Sequence, residues 1–182
     1  MSESFPHEAR MNIYLIGYRG SGKSTVAPLL ARLIDWEWED TDREIELATE
    51  STIPEIFARS GESVFREWET TILQAFATLT SKVISTGGGL PMSEQNRKIM
   101  SKSGCAIWLQ ASAEVLWNRI SKDDANDRPD LTDQGGLAEV VSVLEARTPI
   151  YKACSDYTVN VESLSPEQIA EQIANWWKPV DR

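Results

Sequence analysis

The sequence predicts an α/β protein in three layers, with helices on both faces of a five-stranded parallel sheet. Three observations carry that prediction. Short apolar runs rich in β-branched and aromatic residues recur at 12–16, 83–86, 105–109 and 157–161, with a weaker candidate, "WEWED", at 36–40. Segments of helical spacing lie between them. A glycine-rich stretch with a lysine, "GYRGSGKST" at 17–25, directly follows the first run and directly precedes "VAPLLARLI". Strands alternating with helices imply a parallel sheet covered on both sides, and ligands on such sheets bind at the carboxyl ends of the strands.

Taken in order, the helical segments each show an apolar face. Val26, Leu30, Leu33 and Ile34 line the first, with Pro28 inside it as an expected kink. Val64, Phe65, Trp68, Ile72, Ala75, Phe76 and Leu79 line a longer one. Gly104 sits where a helix C-cap would precede the "CAIWL" strand. "SPEQIAEQIANWW" opens with Ser165 as N-cap, Pro166 at the first helical position and Gln168 closing a capping box. Residues 121–136, "SKDDANDRPDLTDQGG", are polar and lack apolar period, too long for a routine connection and so a candidate mobile lid.

A chain of 182 residues is about one domain in length and should bury about 70% of its unfolded surface. Residues 1–10 read as a disordered tail without the apolar core of a signal peptide, leaving 11–182 as the domain. No run approaches a membrane span, and the expected compartment is the cytoplasm. The two cysteines, Cys105 and Cys154, are too few for a disulfide scaffold. The single histidine, His7, lies in the tail, which removes histidine acid–base chemistry and histidine-ligated zinc. A net charge of −10 argues against a nucleic-acid partner.

"GYRGSGKS" satisfies G-x-x-x-x-G-K-[ST] at Gly17, Gly22, Lys23 and Ser24. Its glycines let successive backbone N–H groups converge on phosphate oxygens, and the following helix adds its positive end. Gly20, Ser21, Gly22 and Thr25 belong to that cradle. Lys23 would reach the β- and γ-phosphates of ATP, and the Ser24 hydroxyl would ligate Mg²⁺. The strand at 83–86 carries no carboxylate for the metal, so "EDTD" offers Asp40 and Asp42 instead. Twelve acids and three arginines crowd Asp35 to Glu69, so spacing alone also allows a solvated acidic surface.

Arg66, with Glu62 before it and Glu69 after it, reads either as a surface ion-pair ladder or as a guanidinium held in place to meet a carboxylate. Arg147 lies in "EARTPIY", where Pro149 should end or kink a helix. Arg128, in "DRPDL", falls inside the candidate lid. "TGGG" at 86–89 can expose backbone N–H groups to a ligand or simply form a tight turn.

In sequence order these pieces resemble the shikimate kinase family, whose pattern runs G-x-x-G-x-G-K-[ST]-T, D-[ST]-D, F-R-x-x-E, G-G-G, R-P-L-L and R-x-P-x-Y. The chain has "GYRGSGKST", "DTD" at 40–42, "FREWE" at 65–69, "GGG" at 87–89, "RPDL" at 128–131 and "RTPIY" at 147–151. The likeness covers residues 11 to 178. It implies a sheet of the P-loop nucleoside-monophosphate-kinase type, substrate-binding helices over about 42–79, and ATP-dependent phosphorylation of the 3-hydroxyl of shikimate by a monomer using Mg²⁺.

By the same resemblance, Lys23, Asp42 and Arg128 would serve the chemistry, with Asp42 meeting the ring hydroxyls. Asp40 would stand in the outer shell of Mg²⁺. Arg66 and Arg147 would clamp the shikimate carboxylate, with Glu69 orienting Arg66 and Gly88 and Gly89 lining the pocket. Arg119 and Pro166 would flank the adenine. Two positions depart from the family. Asp130 stands where leucine is usual, and Arg19 stands where an apolar residue is common; a phosphate or lid contact by Arg19 would make Arg19→Met raise the KM for ATP. A gluconate or nucleotide kinase of the same fold, or a non-catalytic nucleotide-binding module, would keep the phosphate loop without needing the Asp42, Arg66 and Arg147 set.

Overall fold

The computed structural model describes residues 11–122 and 135–177. Five parallel strands, β1 (Asn12–Ile16), β2 (Glu37–Asp40), β3 (Lys82–Ser85), β4 (Gly104–Gln110) and β5 (Tyr157–Asn160), form one sheet in the order β2-β3-β1-β4-β5. The order reverses at β1, so a crevice opens beyond its carboxyl end. The phosphate-loop sequence begins at that point.

Among the described residues seven helices cover the sheet: α1 (Lys23–Leu33), α2 (Thr41–Thr49), α3 (Ile53–Phe76), α4 (Glu94–Ser103), α5 (Ala113–Ile120), α6 (Gly136–Cys154) and α7 (Pro166–Trp177). Alternation along the strands splits the interior into two cores. Ile13 and Leu15 face one with Val26, Leu30, Leu116 and Ile173, from α1, α5 and α7. Tyr14 and Ile16 face the other with Ile45, Phe65, Leu73 and Tyr151, from α2, α3 and α6. This is the expected three-layer arrangement.

Several local details differ from the sequence prediction for identifiable reasons. α1 and α6 run as continuous helices through Pro28 and Pro149. The carbonyls these prolines cannot bond belong to Ser24 and Glu145, both exposed, so water can take the place of the missing N–H. The break lies instead in α3, at Gly61, whose φ of 80° and ψ of 173° interrupt the helical backbone. That long helix ends at Phe76, leaving Leu79 exposed rather than on its apolar face. Gly104 caps the C-terminus of α4 as expected, its N–H donating to the Met100 carbonyl, but with an extended rather than left-handed backbone; it also starts β4, where a Cβ would collide with the Asn12 carbonyl. The capping box at α7 forms as expected, with the Gln168 N–H donating to Ser165 Oγ at 3.3 Å and the Ser165 N–H to Gln168 Oε1 at 2.9 Å. A second box, Thr52 with Glu55, starts α3.

Candidate active site

The phosphate loop leaves β1 at Gly17 and enters α1 at Lys23. Gly22 is the N-cap in the left-handed region, with φ of 92°, where a side chain would strain the turn. Lys23 is folded back along the loop: its ammonium donates to the carbonyls of Gly17 at 2.9 Å and Tyr18 at 2.8 Å. Only 7% of that residue is exposed. The charge is therefore held over the turn rather than extended into solvent.

Asp40 and Asp42 are divided between two tasks by the end of β2. Asp40 is the last strand residue and the N-cap of α2, one carboxylate oxygen accepting from the N–H groups of Asp42 and Arg43. Its other oxygen accepts from Ser24 Oγ at 2.8 Å. A hydroxyl and a carboxylate side by side at the loop are hard oxygen donors of the type Mg²⁺ takes alongside phosphate oxygens and water. Among the described residues no group of three or more His, Cys, Asp or Glu side chains forms a fuller metal cage. Asp42 sits in the first turn of α2 and faces the glycine turn after β3.

That turn explains its three glycines by space. None of Gly87, Gly88 and Gly89 is in the left-handed region. A Cβ on Gly87 would stand 2.7 Å from Asp42 Oδ1 and 2.8 Å from Glu69 Oε1. One on Gly89 would collide with the Arg66 guanidinium, and one on Gly88 would press on the loop backbone at Gly17 and Arg19. Thr41 Oγ1, fully buried, accepts from the Gly87 N–H at 2.9 Å, and Tyr151 donates its hydroxyl to the Gly88 carbonyl at 2.6 Å. Neither Thr41 nor Tyr151 was distinguishable as a support residue in the sequence, although both lie inside the "DTD" and "RTPIY" motifs.

The two readings of Arg66 separate by burial. Glu62 on its outer side is 62% exposed, an ordinary surface partner. Glu69 is 1% exposed and accepts from Arg66 Nη1 at 2.6 Å. Its second oxygen, Oε1, is buried without a hydrogen-bond partner among the described residues. Burial pushes the Glu69 carboxyl up to about 7, opposed by the charge of Arg66 and reinforced by that of Asp42, while Arg147 also lowers it. Arg66 thus pairs with this buried carboxyl, Asp42 shares the space beside Gly87 with it, and the charge of Arg147 is felt there. Arg147 reaches this place from α6, its guanidinium 5.7 Å from the centre of the Tyr18 ring.

Beside this cluster runs a cleft of about 530 Å³ lined by the phosphate loop, Asp42, Gly88, Arg119 and Pro166. Arg66, Gly89 and Arg147 are not part of its lining. Arg119 is fixed at the other end, donating to the carbonyls of Gly20 at 3.3 Å and Val161 at 2.8 Å. With Leu164, Pro166 and Ile169 it forms a wall part apolar and part cationic.

A family profile described as "Shikimate kinase" matches residues 19–178. The chain belongs to the shikimate kinase family. A shikimate kinase of Caldicellulosiruptor bescii is 40% identical over 162 residues, covering 89% of this chain and 92% of the relative. The structure of a shikimate kinase from Acinetobacter baumannii in complex with shikimate superposes with a TM-score of 0.86 at 34% identity, covering 93% of each chain. The shikimate kinase structure from Aquifex aeolicus gives a TM-score of 0.77 at 35% identity, covering 90% of this chain and 94% of that one. Arg128, which matches the shikimate kinase pattern, and Asp130, which departs from it, lie outside the described residues, as do the tail at 1–10 and most of 121–136.

Membership of the shikimate kinase family leaves the buried Glu69 with a measurable signature. Its folded carboxyl, near 7, lies above the ordinary value of 4.5. The folded chain therefore holds the proton more tightly than the unfolded one, and stability from this group is full below about pH 4.5 and lost as pH rises through about 7. Between pH 5 and pH 8 the wild type should lose on the order of 3 kcal/mol relative to Glu69→Gln. Urea unfolding of both proteins at the two pH values reads this difference; parallel changes would place the carboxyl in a wetter setting.

Proposed function

We infer that this chain transfers the γ-phosphoryl group of ATP to the 3-hydroxyl of shikimate, yielding shikimate 3-phosphate and ADP, a step toward chorismate and the aromatic amino acids. The observation that supports the site assignment is the buried Arg66–Glu69 pair, with Asp42 beside the same glycine turn and Arg147 over Tyr18 of the phosphate loop.

The substrate carboxylate would lie between the guanidinium groups of Arg66 and Arg147, each presenting paired donors. Glu69 holds Arg66 from behind, so the side chain is ordered before substrate arrives. With the carboxylate so anchored, the ring rests against Gly88 and Gly89, where no side chains intervene, and its 3-hydroxyl meets Asp42. The hydroxyl oxygen attacks the γ-phosphorus, the bond from that phosphorus to the β,γ-bridging oxygen breaks, and the hydroxyl proton passes to Asp42. A loose transition state asks mainly for alignment and charge neutralisation, so Asp42 need not be a strong base.

Backbone N–H groups from Gly20 to Thr25 and the start of α1 would cradle the phosphates, with Lys23 exchanging loop carbonyls for phosphate oxygens. Ser24, and Asp40 behind it, would hold Mg²⁺, which when bound offsets charge on the β- and γ-phosphates. Arg119 and Pro166 would border the adenine, and Arg128 would add a further positive group to the phosphates. We place the enzyme in the cytoplasm as a monomer without nucleic-acid or membrane partners; no helix among the described residues is long and apolar enough to cross a membrane.

The decisive assay follows ADP release from ATP with shikimate, gluconate, a nucleoside monophosphate or no acceptor. Turnover should require shikimate. Equal turnover with gluconate, or with no acceptor at all, would overturn the assignment.

A further inference from the structure

Arg19 is the second residue after the strand–loop junction, and its guanidinium is already engaged. Nη2 donates to Glu139 Oε1 at 3.2 Å, and Glu139 is fully buried in the first turn of α6. The neighbouring loop residue, Tyr18, is also buried and lies with its ring beneath the Arg147 guanidinium on the same helix. Glu139 and Arg147 are two turns apart, about 12 Å along the axis. Two consecutive loop residues therefore hold α6 at two heights. The loop backbone between them packs against Gly88, whose carbonyl accepts from Tyr151, also on α6.

Resting on the assignment above, we propose that Arg19 is a positioning residue for the acceptor side: through Glu139 it docks α6 against the phosphate loop and so sets where Arg147 stands. A buried carboxylate is held most firmly by a charged partner, so this contact fixes the rotation and height of the helix start. The Tyr18 ring fixes the second point. Arg19 lines the nucleotide cleft too, and a direct phosphate contact is the competing role; the two make opposite demands on binding of each ligand alone.

The test uses the full chain. Arg19→Met alone removes a charged contact of the buried Glu139 and can destabilise the fold, so the informative variant is the pair Arg19→Met with Glu139→Gln, which removes both charges. Calorimetric titration with shikimate alone and with ADP and Mg²⁺ alone separates the effects. Shikimate affinity should fall about fivefold or more with ADP affinity within twofold, and Arg19→Lys, which keeps a cation for Glu139, should recover most of the shikimate affinity. Weakened ADP binding with unchanged shikimate binding would make Arg19 a phosphate ligand and overturn the proposal. No change in either would reduce the pair to fold stability and overturn it equally. A wild type that fails to bind shikimate would instead strike at the acceptor assignment.

Discussion

Asp42→Asn should lower kcat with shikimate by about 10³-fold while leaving ADP affinity within about twofold. The amide is nearly isosteric and can still donate to a ring hydroxyl, so it preserves contact while losing the ability to accept the proton. Asp42 lies in the first turn of α2, and the cap of that helix is Asp40, which the substitution leaves intact. Loss of folding is therefore not the expected route to inactivity. Single-turnover rates with saturating ATP and shikimate, alongside ADP titration, separate the two effects. A variant within tenfold of wild type would remove Asp42 from the chemistry and leave it a packing partner of Gly87.

Arg147→Ala should raise the KM for shikimate by between about 10- and 150-fold, the scale of a lost hydrogen-bonded charge contact. The KM for ATP should move little. Arg147 is one of two guanidinium groups near Glu69, and Arg66 remains tied to that carboxylate in the variant. Residual binding by Arg66 is what keeps the loss finite. The comparison with an acceptor lacking the carboxyl group sharpens the result: the variant should treat it nearly as well as the wild type does. An unchanged KM for shikimate would dissolve the proposed pair of arginines.

How far these residues could be read from the sequence depended on whether local chemistry or tertiary burial decided the matter. The phosphate loop was plain because its spacing, its preceding strand and its following helix are all local. The same holds for the Ser165 and Gln168 cap, where the two side chains satisfy each other within one turn. Glu69 was not plain. Its spacing from Arg66 is that of any surface ion pair, and only the packing of α3 against the glycine turn makes it buried. Pro149 misled for a related reason. Proline breaks a helix when the orphaned carbonyl has no substitute partner, and exposure of Glu145 supplies one. Glu139 could not have been anticipated, because a lone carboxylate three residues into a helix looks like a favourable dipole contact, whatever it meets in space.

Main chain alone forms the rim from Gly87 to Gly89, between Thr86 and the short 3-10 turn Leu90–Met92. Such a rim has nothing to mutate. Randomising positions 87, 88 and 89 would return folded proteins chiefly as glycine, whatever acceptor is selected for. Redirecting the enzyme toward bulkier acids would thus have to reshape α2 and α3 around the turn, changing several side chains together.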